Sequence, residues 1–425
     1  MGMALRRSAF IWLLLANFFL FGITAKAKIS DGDWPWWRGI ERDGIAHGGN
    51  YPVDWDKQKN VVWVASIPGR GQSSPAVVAD RVFLTTADEK RQVQSVLCLN
   101  RASGELIWQK ELHKGGFEKE VHKKCSHAAA SVASDGERIF VAFLNHKAIW
   151  LTCLDNKGKV VWQKKVCDFN SKFGFGASPL IYENNVIVAT DNQGGGYLTA
   201  YDRRSGKVAW NVKRQATPSY SSPTVASVAG RQQLLLSGGD KVSGYDPGTG
   251  KLLWSGRGGS VQTVNTMSFG GKHVFASGGY PTKETLCYDA TGSGELVWKD
   301  KGDIANVPSM IFHKGFLYYV SDGGIAHCRE ASTGKVLWKG RLKGEFSASP
   351  TLAGENLYCI SETGVVFLWK ADPKQFKLVS EIPMGDEGFA SPVACGGKLY
   401  LRVAEGKESS RIEKLYCIGP KKPTP

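Results

Sequence analysis

No two cysteines are adjacent in this 425-residue chain, and none are spaced as Cys-x-x-Cys or Cys-x-x-Cys-His. That argues against covalent haem attachment and against a cysteine-ligated zinc site. Beyond the N-terminus there is no run long and apolar enough to span a bilayer. A concentrated basic stripe is also missing. Lys and Arg outnumber Asp and Glu by 54 to 39, a net charge of +15, but they are scattered along the chain. Nucleic acid is therefore not expected as a partner. No Ser/His/Asp arrangement can be assembled from spacing.

What the chain has is glycine, 50 residues, and tryptophan, 14 residues, a composition that points to tight turns and all-β structure. It opens with Arg6 and Arg7, an uncharged run from Ser8 to Ile23, and Ala25-Lys26-Ala27. This is the pattern of an export signal over 1–27 with a small-residue cleavage site; an uncleaved anchor is the other reading. No Cys follows the run closely, so a lipoprotein anchor is not expected. The predicted location is periplasmic or secreted.

A repeat dominates the rest. Asp, Asn or Glu opens a turn, Gly follows, and Trp comes four residues later: Asn100 to Trp108 with Gly104, Asp155 to Trp162 with Gly158, and Asp202 to Trp210 with Gly206. Asp246 to Trp254 with Gly250, Asp289 to Trp298 with Gly294, and Glu330 to Trp338 with Gly334 continue it. Trp63 marks one more copy of the last strand, while Leu378 or Val379 replaces Trp after Ala371-Asp372-Pro373. Trp63, 108, 162, 210, 254, 298 and 338 lie 45, 54, 48, 44, 44 and 40 residues apart, the period of a four-stranded propeller blade. Each Gly serves a left-handed turn position, and each Trp is a structural side chain that covers the next blade.

A second marker runs in phase. Ser74-Pro75, Ser178-Pro179, Ser222-Pro223, Ser349-Pro350 and Ser391-Pro392 open units, with Val307-Pro308 as a variant and Ala128-Ala129 and Thr266-Met267 in the remaining slots. Eight starts predict an all-β, eight-bladed propeller over 60–418, followed by a tail, 419–425. Val61 to Val64 precede the first start, and the last unit lacks an outer strand, so the early strand is expected to close the ring. Residues 28–59, with Trp34, Trp36, Trp37 and Trp55, are expected as a strap packed on the ring. Cys98, Cys153 and Cys417 share one repeat position, with Cys287 and Cys328 in nearby registers; all are read as small buried side chains.

The run Leu-x-Ala/Cys-Leu/Tyr-Asp-x-x-Ser/Thr-Gly-Lys-x-x-Trp resembles the pyrroloquinoline-quinone (PQQ) type repeat. That repeat is shared by quinoprotein alcohol dehydrogenases and by the outer-membrane assembly propeller BamB. The segment Asp33 to Gly39 with Arg42-Asp43-Gly44 is similar to the opening of secreted PQQ-like propellers of planctomycete-type bacteria. The dehydrogenase resemblance implies a quinone in the channel, Ca²⁺ on oxygen ligands, a carboxylate base and a disulfide between adjacent cysteines. The missing Cys-Cys pair and the short chain depart from that pattern, so neither PQQ with Ca²⁺ nor any other cofactor is expected here. The chain is read as a monomeric binding or scaffold propeller for a protein or glycan of the cell envelope. A PQQ- and Ca²⁺-dependent dehydrogenase and a BamB-like assembly factor are the alternatives.

Candidate ligand-binding residues follow from the loops that enter each first strand, because loops on a rigid frame carry function. Gln72, His127, Tyr220, Asn265, Asn306 and Phe389 are placed at the channel mouth, and Asp191 joins them from the loop after a second strand. No catalytic residue and no metal ligand is assigned. Asp88, Asp191, Asp240, Asp322, Glu362 and Glu405 recur after second strands; they are read as hairpin acids, with a cation site as the other reading.

Overall fold

The computed structural model describes residues 29–170, 172–406 and 410–420. The export signal expected over 1–27 and residues 421–425 lie outside the described residues. The architecture is an eight-bladed β-propeller of four-stranded antiparallel sheets with no helix among the described residues. Blades 1 to 7 span 76–114, 133–168, 180–214, 224–257, 268–300, 311–341 and 351–383. Blade 8 is built from 393–418 and takes its outer strand, Val61–Ile67, from the other end of the chain. No edge is left unpaired at the seam.

The repeat chemistry is visible at most blade boundaries. Trp162 lies against Gly206 of the next blade, where an added Cβ would sit 2.7 Å from the indole and φ is +68°. Its Nε1 donates to the Arg203 carbonyl at 3.2 Å. Trp63, Trp108, Trp298 and Trp338 make the same bond to a turn carbonyl one blade on, at 2.8–3.0 Å. The glycine is thus required twice, by its backbone conformation and by the ring that covers it.

Facing each Trp across the third and fourth strands is a small residue. Cys98, Cys153, Cys287, Cys328 and Cys417 all occupy this slot, so the five cysteines share one register rather than two nearby ones. Ala200 and Gly244 fill it in blades 3 and 4. Only blade 7 differs, and there Leu368 faces Ser380. Ser380, not Leu378 or Val379, therefore holds the Trp position: the bulge after the turn is the same as in the other blades, but the turn opening at Lys370 is longer than the one opening at Asp202. The large and small members of the pair have exchanged sides, as close packing demands.

The indole missing from blade 7 is supplied by the strap. In blades 2 and 6 the Trp meets an aromatic ring of its own second strand: Phe140–Trp162 at 6.0 Å and Tyr318–Trp338 at 6.3 Å. The equivalent ring in blade 7 is Tyr358, paired with Leu368. Trp55 is buried and stacks on it with centroids 6.3 Å apart. The Tyr358 hydroxyl donates to the Pro52 carbonyl, and Ser380 Oγ donates to that of Val53.

Before reaching that outer groove the strap crosses the channel. Trp34 pairs with Val77 of blade 1, the Pro35 carbonyl accepts from Ser134 of blade 2, and Arg42 donates to Ile181 of blade 3. Arg38 is buried, donates to the carbonyls of Asp43 and Met310, and is pushed down to about 10 by burial. Ile45–Ala46 then adds a parallel fifth strand to the inner edge of blade 7. The strap is thus a plug, held largely by backbone bonds to the innermost strands.

One buried residue is expected to make the fold acid-sensitive. His327 is fully buried in blade 6, stacked on Tyr319 at 4.6 Å, and neither ring nitrogen has a hydrogen-bond partner. Burial pushes its pKa down to about 3. The unfolded chain takes up a proton below about pH 6.5 that the folded state refuses, so stability falls as pH drops through that window. We expect His327→Phe to remove ~3 kcal/mol of the stability lost between pH 7 and pH 4. Urea melts at the two pH values measure it; an unchanged pH dependence contradicts the assignment.

Candidate channel-mouth site

Eight loops lead from the outer strand of one blade to the inner strand of the next, and each carries a Ser or Thr at its inner end. These are Ser74, Ser131, Ser178, Ser222, Thr266, Ser309, Ser349 and Ser391, and they line the channel. In six of the eight steps the backbone N–H of one residue donates to the hydroxyl oxygen of the next, at 2.8–3.0 Å. The result is a girdle of hydroxyls stitching blade to blade. At the step from Ser222 to Thr266 the plug intervenes, and Trp37 Nε1 donates to Thr266 Oγ1 at 2.8 Å. At the step from Ser391 to Ser74, Ser74 Oγ is buried without a partner among the described residues.

This ring corrects two unit starts. Blade 2 begins at Ser131, not at Ala128-Ala129, and blade 6 at Ser309, not at Val307-Pro308. The proline had stood in for the signal; the hydroxyl is the constant feature.

Two residues before each girdle position lies a second tier: Gln72, Ala129, Gly176, Tyr220, Val264, Val307, Ser347 and Phe389. The spacing of two follows from extended backbone, which turns alternate side chains the same way. Above a floor at Trp37 the tiers enclose a chamber of about 390 Å³, with Tyr280, Phe173 and Phe175 completing the wall. That volume lies within the ~300–1,000 Å³ range of small-molecule sites.

A lid reaches over the mouth. The loop 115–132 carries His122, Lys124 and Cys125 into the chamber lining. Lys124 Nζ bridges Glu345 at 2.6 Å and Glu362 at 2.9 Å, both from around blade 7. Ser347 Oγ donates to the same Glu362 oxygen at 2.7 Å, and Gln72 donates to the Lys124 carbonyl at 2.8 Å. The loop is thereby tied to blade 7, away from the junction of blades 1 and 2 where it begins. Burial pushes the Cys125 thiol up to about 11, so it is a neutral lining group.

The ring brings together Gln72, Tyr220, Asn306 and Phe389 of the sequence-predicted set. Asn306 is fixed by Asp322, whose carboxylate accepts the N–H groups of Asn306 and Val307 at 3.0 Å each. The other three lie elsewhere. His127 stacks on Phe117 at 4.1 Å and bonds the Glu118 carbonyl at 3.1 Å; the misplaced start of blade 2 had put it three residues too close to the girdle. Asn265 falls between the alternating lining positions and points into the wall, donating to the carbonyls of Ser277 and Ala305. Asp191 is buried in a fork with Arg214, at 2.8 and 2.9 Å. Sequence reasoning missed Trp37, the lid residues and Phe175; the i, i+2 spacing from each girdle hydroxyl would have found the upper tier.

Each of the six recurrent acids has an internal partner. Asp88 caps the Arg91 N–H, Asp240 pairs with Arg257, and Glu405 pairs with Lys414 and Tyr416. Asp191, Asp322 and Glu362 are engaged as above. Among the described residues no group of three or more His, Cys, Asp or Glu could hold a metal ion. The chamber lining contains no Asp or Glu, so it offers neither the carboxylate base nor the charged oxygen ligands of a quinone–Ca²⁺ site. Its residues do not fit that cofactor.

Known proteins bear on this geometry. The quinoprotein alcohol dehydrogenase PedH of Pseudomonas putida is 28% identical over 162 residues, covering 36% of this chain and 25% of that one. The chain thus matches only a quarter of that dehydrogenase's length. The outer membrane protein assembly factor BamB of Yersinia pestis is 24% identical over 352 residues, covering 78% of this chain and 82% of that one. Among solved structures, a europium-containing methanol dehydrogenase superposes with a TM-score of 0.72 at 13% identity, covering 92% of this chain and 98% of the other, a likeness of fold. The family model described as outer membrane protein assembly factor BamB matches residues 92–328 and 293–375. A repeat ring of this kind, matched by that model over most of its length, makes the chain a member of the BamB family of PQQ-type β-propellers.

Proposed function

We propose that this chain is an exported, non-catalytic propeller that holds a protein or glycan partner of the cell envelope at its channel mouth. The carrying observation is the floored chamber whose lining residues include no Asp or Glu and whose one lysine is neutralised by two glutamates. A neutral lining of this kind supports recognition rather than proton transfer or metal chemistry.

Gly176 provides the test. It lines the chamber, and an added Cβ there meets only the Ala129 methyl, at 3.9 Å. Gly176→Trp therefore places an indole in the chamber with no clash at its Cβ. Purified wild type and Gly176→Trp, each immobilised and exposed to envelope extract, should differ: the partner is retained by the first and lost at least tenfold by the second. Identical capture by both contradicts a chamber-mouth partner. The family match favours one further reading, an outer-membrane assembly role. Recovery of assembly-machinery subunits by both proteins would support that reading, with contacts on the outer surface.

A further inference from the structure

We propose that the chamber takes a neutral saccharide, one or two sugar rings inserted from the mouth; this rests on the channel-mouth reading above and names its ligand. The first argument is the protonation of the girdle. Six of its hydroxyl oxygens accept a neighbouring backbone N–H. None of these hydroxyls donates to a protein acceptor among the described residues. With one lone pair engaged, each keeps an O–H to give, and the girdle presents a ring of donors to the channel. Ser74, 3% exposed, lines the chamber, and its Oγ has no partner among the described residues. A buried hydroxyl without a partner carries a cost that a ligand oxygen removes.

The second argument is charge. An inserted anion would need a cation to offset its loss of water. Lys124 is the only Lys or Arg in the lining, and it already bridges two carboxylates. A ligand rich in oxygen acceptors yet uncharged meets both conditions, and a sugar ring is such a ligand.

The third argument is the wall. Trp37 at the floor and Phe175, Tyr220 and Phe389 above it supply flat apolar faces. A pyranose packs its C–H face against such rings while its hydroxyls bond at the edge. Gln72, Gln262 and Asn306 add amides that both donate and accept. Hydroxyl donors, amides and aromatic faces around an uncharged chamber are what a neutral sugar needs and what a carboxylate-bearing ligand does not.

The full chain, fluorescently labelled, is applied to a printed array of neutral and uronate-bearing glycans, and hits are titrated by calorimetry against wild type, Phe389→Ala and Gly176→Trp. The expected result is a neutral glycan whose affinity falls at least tenfold in Gly176→Trp and several-fold in Phe389→Ala. Binding confined to uronate-bearing glycans overturns the proposal, as does neutral-glycan binding that Gly176→Trp leaves unchanged. No glycan bound at all also overturns it. If Gly176→Trp nevertheless loses its envelope partner, the channel-mouth reading stands and only the saccharide class falls; if it does not, both fall.

Discussion

Glu413→Gln is expected to destabilise the ring by ~3–5 kcal/mol, read as a lowered urea midpoint. Glu413 is 2% exposed and pairs with Arg402, itself 3% exposed, at 2.7 Å from Arg402 Nε. The pair does more than join two strands of blade 8. Arg402 donates to Ser73 Oγ and the Thr85 carbonyl of blade 1, both at 2.9 Å, and Glu413 accepts the Gly71 N–H at 2.9 Å. Removing the carboxylate charge leaves a guanidinium buried at the junction of the last blade and the first. This is also the junction where the hydroxyl girdle is open. Breaking one partner of such a pair costs far more than removing both, because the survivor keeps its desolvation penalty. The double variant Arg402→Met/Glu413→Leu should therefore be more stable than Glu413→Gln. A double variant no better than the single would show that the bonds to blade 1, rather than the stranded charge, set the cost.

Trp55→Ala should cost a comparable ~3–5 kcal/mol, the range for emptying a buried tryptophan site. The position lies in the segment expected as a strap, and the indole sits in the core shared by blades 7 and 8 with Val61, Leu399 and Ile418. Its role as substitute for the missing blade Trp gives a second check. Installing the ordinary pair, Ser380→Trp with Leu368→Cys, in the Trp55→Ala background should recover part of the loss. Recovery by those two changes is expected only if the strap indole and the blade indole serve the same groove. Denaturation midpoints of the three proteins decide it.

The repeat was legible because it is dictated locally: the turn Asp, the left-handed Gly and the covering Trp act within nine residues, and Ser-Pro marks most blade starts. The same locality explains the failures. Ser131 and Ser309 lack a following proline, so their hydroxyls passed unnoticed, and with Ser131 went the register that misplaced His127. Asn265 and Val264 differ by one position, and choosing between two alternating side chains needs the girdle hydroxyl at Thr266 as the reference point. Trp55 and Trp37 depend on contacts hundreds of residues away: Tyr358 for one and Thr266 for the other. The lid is equally non-local, since nothing near Lys124 in sequence announces Glu345 or Glu362.

The plug and the closing strand also bear on how the chain acquires its shape. Residues 33–67, made before any blade, bond to blades 1, 2, 3, 6, 7 and 8 and to Thr266 ahead of blade 5. Their partners Ile412–Ile418 are made last. The strand Val61–Ile67 therefore stays unpaired until the final strand arrives. Loop closure over nearly the whole chain makes that step slow and entropically costly. It also makes it a proof of completeness: a chain cut short before Glu413 has no counter-ion for Arg402, no partner for Val61–Ile67 and two open sheet edges. Such an unfinished ring would expose to proteases the strand edges that the closed ring keeps paired.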